Sequence, residues 1–349
     1  MKHTAYLLLS ILLLACKPKP APMDYSAIRA VDISRWPEIQ LASHQFYTQD
    51  STEESFLQIL KMQGVNTIRL RVWIRPDNDY CGFEDVKTFA AQLKSMGFRI
   101  WLNPHYSNTW ADPGHQNPPP QWQQCTYDEI QDSVAAYTAL LVTEIQPDYI
   151  QLGNEINPGF LHPFGHINNQ LQFVQLLNTA SHAVRTNAPD CQIMLHYAGH
   201  EHASWWFEKV DSVDFDIAAL SYYPWWHGKS LDDLEDNIEA LHIQTGKSIV
   251  VAETAYPFTL GWNDWTNNIV GGLDKLIDQF PPTYYGQRDF LTEISSISTQ
   301  TPGGIGFAYW GAELISWKSD TSKSASVWEN QALFNFNNVA VPALDAFQP

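Results

Sequence analysis

Two short runs of the chain end in a glutamate, Tyr149-Ile150-Gln151-Leu152-Gly153-Asn154-Glu155 and Ser248-Ile249-Val250-Val251-Ala252-Glu253. Each is an apolar, β-favouring stretch that stops at a carboxylate, so each reads as a buried strand carrying an acid on its C-terminal edge. Paired carboxylates suit glycoside hydrolysis with retention, in which one carboxyl protonates the leaving oxygen and the other attacks the anomeric carbon, the two about 5–5.5 Å apart. The acid must keep its proton near neutrality, through burial or a nearby negative charge, while the nucleophile stays ionised beside donors and cations.

Residues for those surroundings stand at other strand ends. Asn154 is placed to hold a sugar 2-hydroxyl. Arg69 and Arg71 share one face of a strand, and one of the two is expected to be a structural ion-pair partner. Tyr222 or Tyr223 falls near Glu253, while His105 and Trp310 end two further strands. His105 reads equally as a hydrogen-bonded rim residue. The adjacent Trp225 and Trp226 offer flat rings for stacking on sugar faces. His196, His200, Glu201 and His202 lack the i, i+4 histidine spacing of a helical zinc site, so no metal centre is expected.

The elements that must position these groups follow from periodicity. Strands are expected near residues 28–33, 67–73, 99–103, 149–153, 192–196, 217–222, 248–252 and 306–310. Amphipathic stretches lie between them, among them Phe56-Leu57-Leu60 opened by a cap-like Ser51-x-x-Glu54, then Phe89, Leu93 and Met96, and Val134, Tyr137, Leu140 and Leu141. Alternation of this kind, without hairpins, points to an α/β fold: a single (β/α)8 TIM barrel. Glu155 and Glu253 lie 98 residues apart, roughly 33 per βα unit, near the spacing of a barrel of about 250 residues. The alternative, an open doubly wound sheet, lacks a Gly-x-Gly-x-x-Gly after the first strand. Long loops are expected after strands 3 and 8, on the catalytic face. Cys81 and Cys125 precede the helices of units 2 and 3, which predicts a disulfide between them and leaves Cys191 a buried thiol.

Composition sets the partners. A formal net charge of −18 argues against nucleic acid or an anionic membrane as a binding surface. A neutral substrate fits, and 14 Trp and 15 Tyr provide rings for it. Residues 1–16 read as a lipoprotein signal peptide ending at the lipobox Leu13-Leu14-Ala15-Cys16, with Cys16 lipidated. Residues 17–27 form a Pro-rich tether, and residues 28–349 the catalytic domain. An exported bacterial lipoprotein of the cell envelope, at the outer membrane or cell surface, held to the membrane by its N-terminal lipid alone and otherwise monomeric, is therefore expected.

The chain resembles the glycoside hydrolase family 53 endo-β-1,4-galactanases. The resemblance is carried by Val31-Asp32-Ile33-Ser34, Arg69-Leu70-Arg71-Val72-Trp73, His105-Tyr106-Ser107-Asn108-Thr109-Trp110-Ala111-Asp112-Pro113-Gly114-His115-Gln116, Gly153-Asn154-Glu155-Ile156, Ser221-Tyr222-Tyr223-Pro224, Glu253-Thr254-Ala255-Tyr256-Pro257, Tyr309-Trp310 and Trp328-Glu329-Asn330-Gln331. It implies a retaining barrel enzyme with Glu155 as acid/base and Glu253 as nucleophile, acting on the β-1,4-galactan of type I arabinogalactan without a cofactor. Substrate contacts then include Asp32 and Trp110. Asn103, Asn108 and Leu314 depart from the residues usual in the family. Some bacterial members bind calcium after strand 8, but Lys318-Ser319-Asp320-Thr321-Ser322-Lys323 offers one carboxylate and two lysines, so calcium is not expected. Two other readings stand beside this one: another retaining endoglycosidase of the same clan, such as a β-1,4-mannanase, and a non-catalytic glycan-binding lipoprotein.

Overall fold

The computed structural model describes residues 27–78 and 80–349. The leader, with Cys16, and all but the last residue of the tether lie outside the described residues. Eight strands, β1 (Ile28–Asp32), β2 (Thr67–Val72), β3 (Arg99–Pro104), β4 (Tyr149–Gln151), β5 (Gln192–Ala198), β6 (Ile217–Ser221), β7 (Ser248–Thr254) and β8 (Gly304–Trp310), close into a barrel in chain order. Every neighbouring pair is parallel, including β1 against β8. The fold is the expected (β/α)8 barrel.

Successive residues of a strand point to opposite faces, so each strand feeds two cores. Ile28, Ala30, Trp101, Tyr149, Met194, Ile217, Ala219, Val250, Ala252 and Ala308 fill the barrel, and a larger apolar cluster lies between strands and helices. The alanines make room for the fully buried indole of Trp101, whose loss would cost about 3–5 kcal/mol. Gly306 has φ +132, and a Cβ there would lie 2.0 Å from the Ile28 carbonyl oxygen. Only glycine lets β1 and β8 close at that point.

Three expectations change at this level. The helix Phe56–Met62 starts from Ser55 without a side-chain cap, while Ser51 sits at φ +65 in a turn closed on the Thr48 carbonyl. The reciprocal capping box is instead Thr126 with Glu129, at the head of the helix Tyr127–Ile145. Cys81, Cys125 and Cys191 are all free: the Cys81 thiol turns inward, where Arg71 Nη2 donates to its sulfur at 3.2 Å, and the Cys125 sulfur faces the Gln121 carbonyl. The predicted disulfide is therefore not formed. Finally, the loops after β3 and β8 are joined by a third excursion, residues 255–283, before the helix Tyr284–Gln300. Its Phe258, Val270, Leu276 and Phe280 are buried, so its composition does not read as a loop.

Candidate active site

Period-two alternation sends Asp32, Arg69, Arg71, Asn103, Gln151, His196, Ser221 and Trp310 inward at the C-terminal ends of their strands. The two glutamates get there by different backbone devices. After β4 the chain turns through Gly153 at φ +82 and Glu155 at φ +48, a left-handed conformation that a glutamate adopts at a cost. On β7, Val250 and Ala252 already point inward, so plain alternation would turn Glu253 out. Register slips instead: Leu220 pairs with Val251 but Ser221 with Glu253, and Val251 and Thr254 span only Phe307 to Tyr309 on β8. This bulge reverses the parity and aims Glu253 into the barrel mouth.

The two carboxylates bracket one gap. An oxygen of Glu155, an oxygen of Glu253 and a ring nitrogen of His196 all lie within 4.8 Å of one another. Around them a cavity of about 430 Å³ is lined by Asp32, Arg69, Arg71, Asn103, His105, Trp110, Asp112, Asn154, Tyr223, Trp226, His227, Trp310 and Trp328, among others.

Glu253 is held by cations and donors. Arg69 Nη2 donates to its Oε1 at 2.8 Å and the Tyr223 hydroxyl to its Oε2 at 3.0 Å. Arg69 also pairs with Asp32 at 2.8 Å and donates to Asn154 Oδ1 at 2.9 Å, so it is the ion-pair arginine of the two. Arg71 has no carboxylate partner among the described residues; its guanidinium lies 3.9 Å from the Trp110 ring centre and 4.7 Å from that of Trp73. Glu155, half-buried, receives one side-chain hydrogen bond, from Ser221 Oγ at 2.7 Å.

Ionisation follows from these partners. Burial, and after it the charge of Glu253, push Glu155 up to about 8. Burial raises Glu253 too, but Arg69 and Tyr223 pull it back toward the ionised form. When one of the two holds a proton, it is Glu155, which has no cation in contact. Burial first and Arg69 second keep His196 neutral, and burial with Arg71 does the same for His105, whose Nδ1 accepts from Trp73 and Ala111.

Most of the anticipated residues meet here: Asp32, Arg69, Arg71, His105, Trp110, Asn154, Glu155, Tyr223, Trp226, Glu253 and Trp310 all line the cavity. Tyr222 does not. Alternation turns it outward, fully buried, with its hydroxyl on the Gly228 carbonyl and its ring against His200. Trp225 lies behind the cleft wall, packed on Tyr223 and Trp328. Sequence reasoning missed Gln151, Ser221, Asp112, His227 and Trp328 as members of the site. The inward parity of the last residues of β4 and β6 was a signal for Gln151 and Ser221.

Glu155, His196 and Glu253 are the one group of acidic, histidine or cysteine side chains among the described residues close enough to share a metal ion. Apart from one Glu155 oxygen, their atoms are already committed. Both Glu253 oxygens accept from Arg69 or Tyr223, and both His196 nitrogens have protein partners. The segment after β8 does not suit calcium either: Lys318 Nζ donates to the Ser324 carbonyl and Lys323 stands over Trp265, placing ammonium groups where a cation would need oxygens.

Residues 28–347 match the model of glycosyl hydrolase family 53. The fold is similar to that of the Ignisphaera aggregans GH53 catalytic domain, with a TM-score of 0.86 and 35% identity over 94% of this chain and 97% of that one. An uncharacterized protein from the bgaB 5′ region of Niallia circulans is 33% identical, over 92% of this chain and 93% of its own. The arabinogalactan endo-β-1,4-galactanase of Cellvibrio japonicus is 31% identical, over 91% and 89%. A closed barrel with two glutamates at the ends of β4 and β7, and a family match spanning nearly all of its described length, place this chain in glycosyl hydrolase family 53.

Proposed function

We propose that the protein cuts internal β-1,4-galactosidic bonds of galactan with retention of configuration, Glu155 serving as acid/base and Glu253 as nucleophile. The observation that carries this reading is the unequal support of two neighbouring carboxylates: a guanidinium and a phenol on Glu253, a single hydroxyl on Glu155. Galactan is the substrate in the name of the Cellvibrio japonicus relative, and the cleft walls of Trp110, Trp226, Trp310 and Trp328 suit the faces of a neutral sugar chain. A second cavity of about 380 Å³ shares Asp32, Arg71, Trp110, Trp310 and Trp328 with the first and extends toward the segment after β8. A cleft continued in this way accommodates a polymer rather than a chain end.

In the first step the Glu155 proton passes to the glycosidic oxygen as its bond to the anomeric carbon breaks, and a Glu253 oxygen bonds that carbon. In the second, water attacks the same carbon, gives its proton to Glu155, and the bond to Glu253 breaks. Arg69 and Tyr223 keep the Glu253 charge ready before the first step and receive it again after the second. No cofactor enters either step.

Digestion of linear β-1,4-galactan tests the reading. Oligosaccharides of intermediate length, formed first as the β anomer by NMR, are expected. First-formed α product would exclude retention, and cleavage of β-1,4-mannan in place of galactan would favour another activity of the same barrel clan. We further propose that the chain is exported and lipidated at Cys16 and works as a monomer. In a bacterial host the Cys16→Ala protein should leave the membrane fraction; a wild-type protein already soluble there would refute the anchor.

A further inference from the structure

The hydrogen bonds around Glu155 form a closed circuit whose polarity can be derived. The backbone N–H of Glu155 points at His196 Nδ1 at 3.2 Å, and Gln151 Nε2 approaches the same nitrogen at 2.8 Å. Asn154 Oδ1 also lies 3.2 Å from Nδ1, but it already accepts from Arg69, Asn103 and Gln151, whereas the backbone N–H cannot act as an acceptor, so Nδ1 carries the lone pair and the imidazole proton sits on Nε2. His196 Nε2 lies 2.9 Å from Ser221 Oγ and must donate to it. That leaves the serine's own hydrogen for Glu155 Oε1, 2.7 Å away. The circuit closes on the residue where it began.

We propose that His196 and Ser221 are positioning residues that lock the orientation of the Glu155 carboxyl, occupying Oε1 and leaving Oε2 to carry the catalytic proton toward the leaving oxygen. Both residues are fully buried on neighbouring strands, β5 and β6. A hydroxyl rotor there would otherwise be free to accept from a protonated Glu155 and draw the proton away from the substrate. His196 opposes this: its Nε2–H occupies one lone pair of Ser221 Oγ and leaves the serine hydrogen directed at Glu155. The assignment rests on the reading of Glu155 as the acid.

The lock also acts on the acid's strength. Ser221 donates to Glu155 and so favours its ionised form, against burial and the charges of Glu253 and Asp112; Arg69 favours the ionised form as well. The groups facing the carboxyl are thus Glu253, Arg69, Asp112, His196, Ser221 and, across the cleft, Tyr223 and His227. Loss of the Ser221 donor should move the alkaline limb of the pH profile to higher pH.

Acid catalysis matters for a sugar leaving group and little for 2,4-dinitrophenolate, which departs without a proton. The test therefore compares Ser221→Ala with wild type on linear galactan and on 2,4-dinitrophenyl β-galactobioside, with kcat/KM followed against pH. We expect the loss on galactan to exceed the loss on the aryl glycoside by about tenfold or more, with the alkaline limb on galactan displaced upward. Equal losses on the two substrates, or an unmoved limb, would overturn the lock and leave the galactanase reading intact. A wild-type protein inactive on galactan would overturn that reading and the lock together. If Ser221→Ala does not fold, the nearly isosteric, weakly donating Ser221→Cys is judged by the same two criteria.

Discussion

The ends of β4 and β7 begin as the same pattern, an apolar run closed by a glutamate, and finish as chemical opposites. At β7 a bulge turns Glu253 inward onto the Arg69 guanidinium and the Tyr223 hydroxyl. At β4 a left-handed turn presents Glu155 to a neutral network of Ser221 and His196. A strand-end carboxylate has no fixed role of its own. Its role is set by whether the neighbouring strands bring it a cation, and here β2 supplies Arg69 to one side of the mouth only.

The largest effects come from deleting either carboxylate. Glu253→Ala and Glu155→Ala should each lower turnover on galactan by roughly 10³-fold or more, with an unchanged far-UV spectrum. Azide tells the two ends apart, because it enters through whichever space has been emptied. With Glu253→Ala it attacks from the nucleophile's side and gives an α-glycosyl azide; with Glu155→Ala it attacks the glycosyl-enzyme from the other face and gives the β anomer. The same azide anomer from both variants would break the assignment of opposite roles.

Removing the cation should make the β7 end resemble the β4 end. Arg69→Met leaves Asp32 and Glu253 facing each other without the charge between them, in a site where both are nearly inaccessible. Breaking such a buried pair costs about 3–5 kcal/mol of stability. The acidic limb of the pH profile should also rise, since Glu253 then ionises less readily. Tyr223→Phe removes one donor from Glu253 Oε2 and nothing else. A hydrogen bond to a charged group contributes about 1.5–3 kcal/mol, so kcat should fall by about 10- to 150-fold. An Arg69→Met enzyme with an unshifted acidic limb would mean that Glu253 does not depend on its cation.

The pH profile reads the β4 end directly. As the proposed acid, Glu155, raised to about 8 by burial and Glu253, has to hold its proton in the first step, so kcat/KM should fall as pH rises through about 8. Glu155→Ala should abolish that limb. If it persists in the variant, another group carries it.

Much of this contrast is legible in the amino-acid sequence. Eight apolar runs separated by helical periodicities are enough to specify a barrel, because parallel strands buried on both faces leave that trace. Strand-end residues such as Arg69 and Arg71 follow from alternation alone. The failures cluster where a local rule is overridden by something distant in the chain. Parity places Glu253 on the wrong face until the bulge is known, and it separates Tyr223 from Tyr222, which the sequence sets side by side. Cys81 and Cys125 occupy suitable loops, but the Cys81 thiol is taken up by Arg71. Parity turns Ser221 inward, but the partners it meets there, Glu155 and His196, arrive from β4 and β5.

The subtlest expectation uses one substitution at both ends. Glu→Gln keeps shape and removes the possibility of charge. At Glu155 the native carboxyl holds its proton more tightly than it does in the unfolded chain. That preference stabilises the fold below the ordinary glutamate range near 4.5 and is lost as pH rises through about 8, where the folded protein must accommodate the ion. Glutamine avoids that loss, so at pH 9 Glu155→Gln should melt higher than wild type. At Glu253 burial raises the carboxyl too, but Arg69 and Tyr223 favour its ion, so Glu253→Gln should gain less at the same pH than Glu155→Gln does. For a chain of this size a difference of 1 kcal/mol moves the melting temperature by about 2–4 °C, within reach of calorimetry. Equal shifts at pH 9 would mean that the two carboxylates share one environment, and that the contrast between the two strand ends lies in their geometry alone.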